Sequence, residues 1–427
     1  MNKRTNVDLG IGSDGPRGVR AEGRSELAGE IPEGAGAGRV YEGTSAESRA
    51  SAEAELTGHF AAWKVFQAGS REVTEAIIAP EHRGPSPTLS RALARWPGAW
   101  YRPDGGGRLI LICPVGPGRG HRWLLHVALF IVTAVCALGA GSALQQGLHP
   151  PAGIGLFGAV LAGAKFFVML VHGAWRDILS GWSFAVPLLA ILLIHELGHY
   201  FAARRYEIDS SLPFFLPVPP SLSPIGSLGA FIRLRSPVLD RRQLLDVGAA
   251  GPLAGFVVAL AVLVWGYATS EPLAWGPHGT GSFVVISGLP LSLGESFLTL
   301  HLRDFFLPGA LAVHLSPPAF AGWVGVFVTG LNLLPLSQLD GGHVLYGLVG
   351  KRQAVVAVLA IAGLLYLAQY WPVWYAWVVL TLLVGGGRWS HPAVVSPAEP
   401  IPLSRRLVGW LAVLVFGMTF VPVPFTG

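Results

Sequence analysis

Eight long apolar runs dominate the chain beyond residue 122, at 123–141, 153–173, 182–202, 247–268, 318–336, 354–370, 372–387 and 407–424. Runs of this kind suit helices crossing a hydrocarbon layer roughly 30 Å thick. The run at 153–173 carries Lys165 in its middle, so it reads as a re-entrant or interfacial segment. Upstream the pattern changes. Residues 1–55 are polar and rich in Gly, Ser, Glu, Ala and Arg without periodicity, a composition that buries too little apolar area to stay folded. Residues 56–120 turn globular. Leu89–Trp96 reads as a short helix, and Ala99–Arg102 and Arg108–Cys113 read as strands around the turn Pro103-Asp104-Gly105-Gly106. The expected fold is an all-α polytopic membrane protein with about seven or eight membrane segments. It has a disordered 1–55, a small α/β domain at 56–120 and an embedded domain at 121–427, core 180–350. The small domain fits a regulatory or substrate-gating module and a passive spacer equally.

Composition agrees with the pattern. Of 427 residues, 52% are hydrophobic and 13% charged, with a mean hydropathy of +0.51; soluble chains carry about 25% charged residues. The net charge of +5 is too mild for a nucleic-acid partner and serves better as a topology signal. Six arginines lie between 203 and 246 (Arg204, Arg205, Arg233, Arg235, Arg241 and Arg242), whereas the loop 269–317 holds only Arg303. The excess of positive charge puts the first loop in the cytoplasm and the second outside. With no apolar leader run after Met1, the amino terminus is expected in the cytoplasm. Cys113 and Cys136 read as packing residues, and Trp371, Trp374, Trp377 and Trp389 as interface anchors.

The chemistry concentrates in two places. His195-Glu196-Leu197-Gly198-His199 closes the apolar run Phe184–Ile194. On a helix, positions i and i+4 share a face, so both imidazoles reach one ion, with Glu196 close by to serve as general base. Gly198 is expected to leave room for metal or substrate. Ionisable groups at the end of a membrane helix are costly unless they have a function. A catalytic metal needs a third protein ligand. Asp340 in Asn332-Leu333-Leu334-Pro335-Leu336-Ser337-Gln338-Leu339-Asp340-Gly341-Gly342 can supply it, with Pro335 ending the preceding helix and the Gly pair allowing close backbone approach. His126 and His172 sit alone on apolar segments and read as packing residues. His343 and His391 are not taken as ligands, and Gly251 and Gly255 read as a helix-packing pair.

The His195–His199 pair together with Asn332-x-x-Pro335-x-x-x-Leu339-Asp340-Gly341 resembles the two signature motifs of the site-2 protease family of intramembrane zinc metalloproteases. Its closest likeness is to the branch of the ethylene-dependent gravitropism-deficient and yellow-green type. The resemblance extends to Gly248–Gly255, and to Phe214–Pro220 and Gly226–Leu234, which resemble that family's membrane β-hairpin and substrate strand. It implies one zinc held by His195, His199 and Asp340, with Glu196 as base. It implies Asn332 as a contact to the substrate backbone or the forming oxyanion; an interhelical hydrogen bond is the other reading of that side chain. Phe231–Arg235 alternates and reads as an edge strand for an unwound substrate, or as an ordinary hairpin. The implied activity is peptide-bond hydrolysis within or near transmembrane segments of membrane-protein substrates. The implied location is a lipid bilayer, the bacterial inner membrane. A non-catalytic scaffold or chaperone of the same descent is the alternative, and it would be expected to have lost Glu196 or a ligand. The oligomeric state is left open.

Overall fold

The computed structural model describes residues 46–426 except 69–70, 103–106, 115–121, 147–154, 207, 235–237, 239, 278, 287, 337, 388, 390–393 and 395–399. The turn expected at 103–106 and the pair His391-Pro392 therefore lie outside the described residues, as does most of the stretch expected to be disordered. The chain divides into two compact units. One comprises the residues up to 120 with 234–240 and 395–400; the other comprises the rest.

In the first unit, α1 (Ala46–Thr57) precedes β1 (Phe60–Ala68) and β2 (Arg71–Ile78), then α2 (Pro87–Ala94), β3 (Ala99–Tyr101) and β4 (Arg108–Pro114). The strands form an antiparallel sheet in the order β1-β2-β4-β3. The expectation of disorder through residue 55 is corrected at its end. Ala52 and Leu56 of α1 are buried among Ile78, Leu89, Leu109 and Leu111, and that burial offsets the ordering entropy. Cys113 is buried in this core.

Glu75 of β2 lies opposite Lys64 of β1 and pairs with it at 2.7 Å; on the other side it pairs with Arg108 of β4. Burial pushes the Glu75 carboxyl up, but the hydrogen bonds and charges of Lys64 and Arg108 outweigh it and hold the pKa below the ordinary value. A depressed folded-state pKa contributes stability above the unfolded value, and that stability is lost as pH falls through the folded value. Glu75→Gln is therefore expected to loosen this sheet by about 1 kcal/mol at neutral pH, a gap that closes as pH falls through the depressed Glu75 value. Amide exchange of β1 and β2 in wild type and variant at each pH measures it; equal protection at neutral pH would contradict the assignment.

The second unit is mainly helical: α3 (Trp123–Gln146), α4 (Gly155–Met169), α5 (Trp175–Leu179) and α6 (Trp182–Arg205) lead to a hairpin of β5 (Phe214–Pro217) and β6 (Ser227–Phe231). Next come α7 (Arg241–Ala268), β7 (Glu271–Leu273), β8 (Gly281–Ile286), β9 (Leu289–Leu293), α8 (Phe297–Phe306) and β10 (Ala312–His314). The chain finishes with α9 (Pro317–Asn332), α10 (Asp340–Val349), α11 (Gln353–Leu367), α12 (Val373–Val384), α13 (Leu403–Thr419) and β11 (Phe425–Thr426).

Four helices among the described residues are long and apolar enough to cross a membrane: Trp123–Gln145, Trp182–Arg205, Arg241–Ala268 and Asp340–Leu367. The last turns at Gly350, whose φ of 61° separates α10 from α11. The run with Lys165 forms α4 and a following π turn at Leu170–Ala174. It packs on the hairpin loop, where the Ser221 hydroxyl donates to the Ala159 carbonyl at 2.9 Å. His126 of α3 is buried, and its Nδ1 donates to the Pro213 carbonyl at 3.0 Å, which anchors the start of β5.

The stretch 269–317, read as a loop, is structured: it supplies α8 and the strands β7 to β10, which with β11 form a five-stranded sheet, order β11-β9-β8-β10-β7, with β10 parallel to β8. The fold is thus not helical with a lone hairpin. These strands run two to six residues without clean alternation, so no local period announces them. Trp374 is also corrected from interface anchor to core: it is fully buried and its indole N–H donates to the Pro422 carbonyl at 2.7 Å.

Candidate metal centre

His195 and His199 sit one turn apart near the end of α6, both buried. His199 lies six residues before Arg205, about 9 Å along the helix axis. Asp340 opens α10, after α9 has ended at Asn332 and the chain has turned through Leu333–Leu339. That turn is possible because Gly341 abuts the Leu333 carbonyl, where a Cβ would overlap it. The three side chains converge. His199 Nε2 lies 3.1 Å from His195 Nε2 and 3.2 Å from Asp340 Oδ2, and His195 Nε2 lies 3.3 Å from the same oxygen. Among the described residues they form the group of three donors able to hold a metal ion.

The donor set fits a cation. His199 Nδ1 is 2.7 Å from the Val247 carbonyl of α7. A carbonyl only accepts, so Nδ1 carries the hydrogen, and the neutral ring turns the lone pair of Nε2 toward a carboxylate oxygen that is itself an acceptor. Lone pairs facing at that distance repel unless a proton or a metal ion lies between them. A tetrahedral zinc with bonds near 2.0–2.1 Å has ligand–ligand edges of about 3.3–3.4 Å, close to the three observed separations.

Helix α7 forms the wall of this centre, a role the sequence reading did not assign. A Cβ on Gly248 would lie 2.7 Å from His343 Cβ and 3.3 Å from the Asp340 carbonyl. One on Gly255 would lie 2.9 Å from His195 Cβ, and one on Gly251 would overlap His199 Nε2. The pair read as plain helix packing therefore packs against the two imidazoles. The available signal was the spacing 248, 251, 255, which puts three glycines on one helical face. Gly198 differs from expectation. Its open side is filled by the α7 backbone, with the Ala250 carbonyl 2.5 Å from where a Cβ would stand, so it leaves no room for substrate.

The register of α7 is fixed at its first turns. Asp246, next to Val247, accepts from the Tyr206 hydroxyl at 2.5 Å and pairs with Arg405 of α13 at 3.2 Å. Arg241 donates to the Gly347 and Leu348 carbonyls at 2.7–3.0 Å, closing the carboxy-terminal end of α10. One helix thus orients His199 through its backbone and holds the segment that begins with Asp340.

Glu196 is buried beside the two imidazoles, and the backbone of Ile232 lies within hydrogen-bonding reach of its carboxylate. Asn332 Nδ2 lies 3.3 Å from His195 Nε2, so the amide stands at the edge of the donor triangle. The strand expected at Phe231–Arg235 is observed earlier, as β6 at Ser227–Phe231, paired antiparallel with β5 from Phe214↔Phe231 to Pro217↔Ser227. Leu228 of β6 is 72% exposed. His172 is exposed and donates to the Val168 carbonyl on its own helix, away from the centre.

A model of peptidase family M50 matches residues 183–368, a range that holds all five of these polar residues. The chain is 32% identical over 247 residues to the probable zinc metalloprotease EGY2, chloroplastic, of Oryza sativa subsp. indica, covering 56% of this chain and 42% of that protein. It is 32% identical over 258 residues to the Arabidopsis thaliana protein of the same name, covering 58% and 43%. It is 26% identical over 335 residues to the Arabidopsis thaliana probable zinc metalloprotease EGY1, chloroplastic, covering 75% and 58%. The chain thus spans about half the length of these curated relatives. No solved structure matches it.

Proposed function

From the premise that residues 183–368 form a domain of peptidase family M50, we propose that this chain is a zinc-dependent intramembrane endopeptidase. It hydrolyses peptide bonds within or near transmembrane segments of membrane-protein substrates. The observation that carries the reading is the convergence of His195 Nε2, His199 Nε2 and Asp340 Oδ2 to within 3.1–3.3 Å of one another. In this reading those three side chains hold one zinc ion. The relatives' names, which specify zinc, support the choice of ion.

Zinc, when bound, supplies the Lewis acidity that activates water and polarises the scissile carbonyl. The chain's own residues do the rest. Glu196, beside both imidazoles, takes the proton from the attacking water and passes it to the leaving amide nitrogen. The Asn332 amide, turned to present its N–H, donates to the oxygen on which negative charge develops. The β5–β6 hairpin ends beside Glu196, so an unwound substrate added to its edge brings a peptide bond to the base. Unwinding is needed because a helix keeps its carbonyls satisfied and shielded. Arg204 and Arg205 at the end of α6, with Arg241 and Arg242 at the start of α7, support a cytoplasmic orientation for this end of the centre.

The test is cleavage of a single-span helical test protein by purified full-length chain in lipid. Cleavage is expected, to stop with a zinc chelator and to return when zinc is restored. Cleavage that survives complete metal removal would overturn the reading.

A further inference from the structure

Far from the metal centre in sequence, the first unit contains an open, polar surface cavity of about 420 Å³ lined by Glu55, His59, His82, Thr88, Arg91 and Arg95. We infer that this cavity binds a phosphate-type oxyanion, carried either by a soluble phosphate compound or by a phosphomonoester lipid headgroup. It rests on none of the chemistry proposed for the metal centre.

Helix α2 sets the charge. Thr88, Arg91 and Arg95 fall at i, i+3 and i+7, one face of the helix, while Leu89, Ala92 and Leu93 on the other face are buried in the core. Arg91 uses Nε on the Pro87 carbonyl at 3.3 Å, which leaves its terminal nitrogens available. Arg95 meets Glu55 at 3.1 Å through one nitrogen. Two guanidinium groups thus face one carboxylate.

Two imidazoles complete the lining, their ring centroids 4.6 Å apart. His59 Nδ1 donates to the Glu55 carbonyl at 2.9 Å, and His82 Nδ1 meets the Ser86 hydroxyl at 3.1 Å. Neither Nε2 has a hydrogen-bond partner among the described residues. The lining therefore carries a surplus of one positive charge with neutral imidazoles and three when both are protonated. Ser86 also caps α2 through the Leu89 N–H, so the positive end of that helix adds to the field.

A metal ion does not suit this lining. Glu55 is engaged by Arg95, and the described residues bring no third donor together with the two imidazoles. A planar carboxylate offers two oxygens, whereas a tetrahedral phosphate accepts from guanidinium forks, a hydroxyl and imidazole N–H groups on several sides at once. The volume leaves space for a substituent on the phosphate.

The experiment follows amide exchange across residues 50–96 of the full-length protein. One arm adds pyrophosphate in detergent against chloride at equal ionic strength. The other compares nanodiscs of phosphatidylcholine with nanodiscs containing phosphatidic acid. Saturable protection of residues 80–95 is expected in at least one arm, and the arm that shows it identifies the source. Arg91→Gln with Arg95→Gln should weaken the response about tenfold or more, while Arg83→Gln, outside the lining, should not. If the double variant loosens β2 and β4 without anion, His82→Gln is read instead, with the same loss expected. No protection in either arm, or equal protection in wild type and lining variants, overturns the proposal.

Discussion

Glu196→Gln is expected to lower kcat/KM on a helical membrane substrate by about a thousandfold or more, the scale of lost general acid–base catalysis. Gln keeps the shape of Glu and can still accept from the Ile232 backbone, so the side chain should hold its place. What it loses is the capacity to take a proton. His195, His199 and Asp340 are untouched, so zinc content should stay at about one per chain. Metal analysis and cleavage assays on the same preparation separate the two quantities. Equal cleavage by variant and wild type would remove Glu196 from the mechanism. Loss of zinc along with activity would make it a structural support of the centre.

A methyl group on the neighbouring helix should be nearly as damaging. Gly251→Ala is expected to cut zinc occupancy to below about a tenth and activity by about a hundredfold or more, through displacement of a ligand. The added Cβ would overlap His199 Nε2. The ring cannot simply retreat, because its Nδ1 is tied at 2.7 Å to Val247, one turn earlier on the same helix. The imidazole therefore lies along α7 between the carbonyl that orients it and the glycine that admits it. Gly255→Ala is the graded control. Its Cβ would stand 2.9 Å from His195 Cβ, a clash a small helix shift can relieve, so most of the zinc should remain. Overpacking at either site should cost about 1–3 kcal/mol of stability, which thermal unfolding in detergent would register. Full zinc and full activity in Gly251→Ala would show that α7 does not confine the centre.

Local patterns in the sequence reveal some of these features and hide others. The HExxH pair is readable because a helix converts four-residue spacing into a shared face, and Asp340 because Pro335 and the glycines mark where the chain turns. The membrane character follows from apolar runs, although Trp374 shows that an indole at the end of such a run need not face lipid. The strands of residues 271–314 escaped notice because each is short and, the β8–β9 hairpin apart, their partners are distant in sequence, β11 as far away as Phe425–Thr426. Helix α1 escaped notice because its polar composition resembles the tail before it; among its described side chains, Ala52 and Leu56 bury it in the core of the sheet and α2.

The chain by itself determined the donor types, the i, i+4 geometry of the two histidines and the need for a third ligand on a distant segment. These follow from helix periodicity and coordination chemistry, which act over a few residues or by residue type. The fold alone decided that Val247 supplies the carbonyl setting the His199 tautomer and that Gly251 and Gly255 make room for imidazoles. It also decided that β6, ending at Phe231, brings Ile232 beside Glu196. Each of these depends on which backbone atoms face one another after helices pack, and that is a property of the contact between elements, not of any one of them.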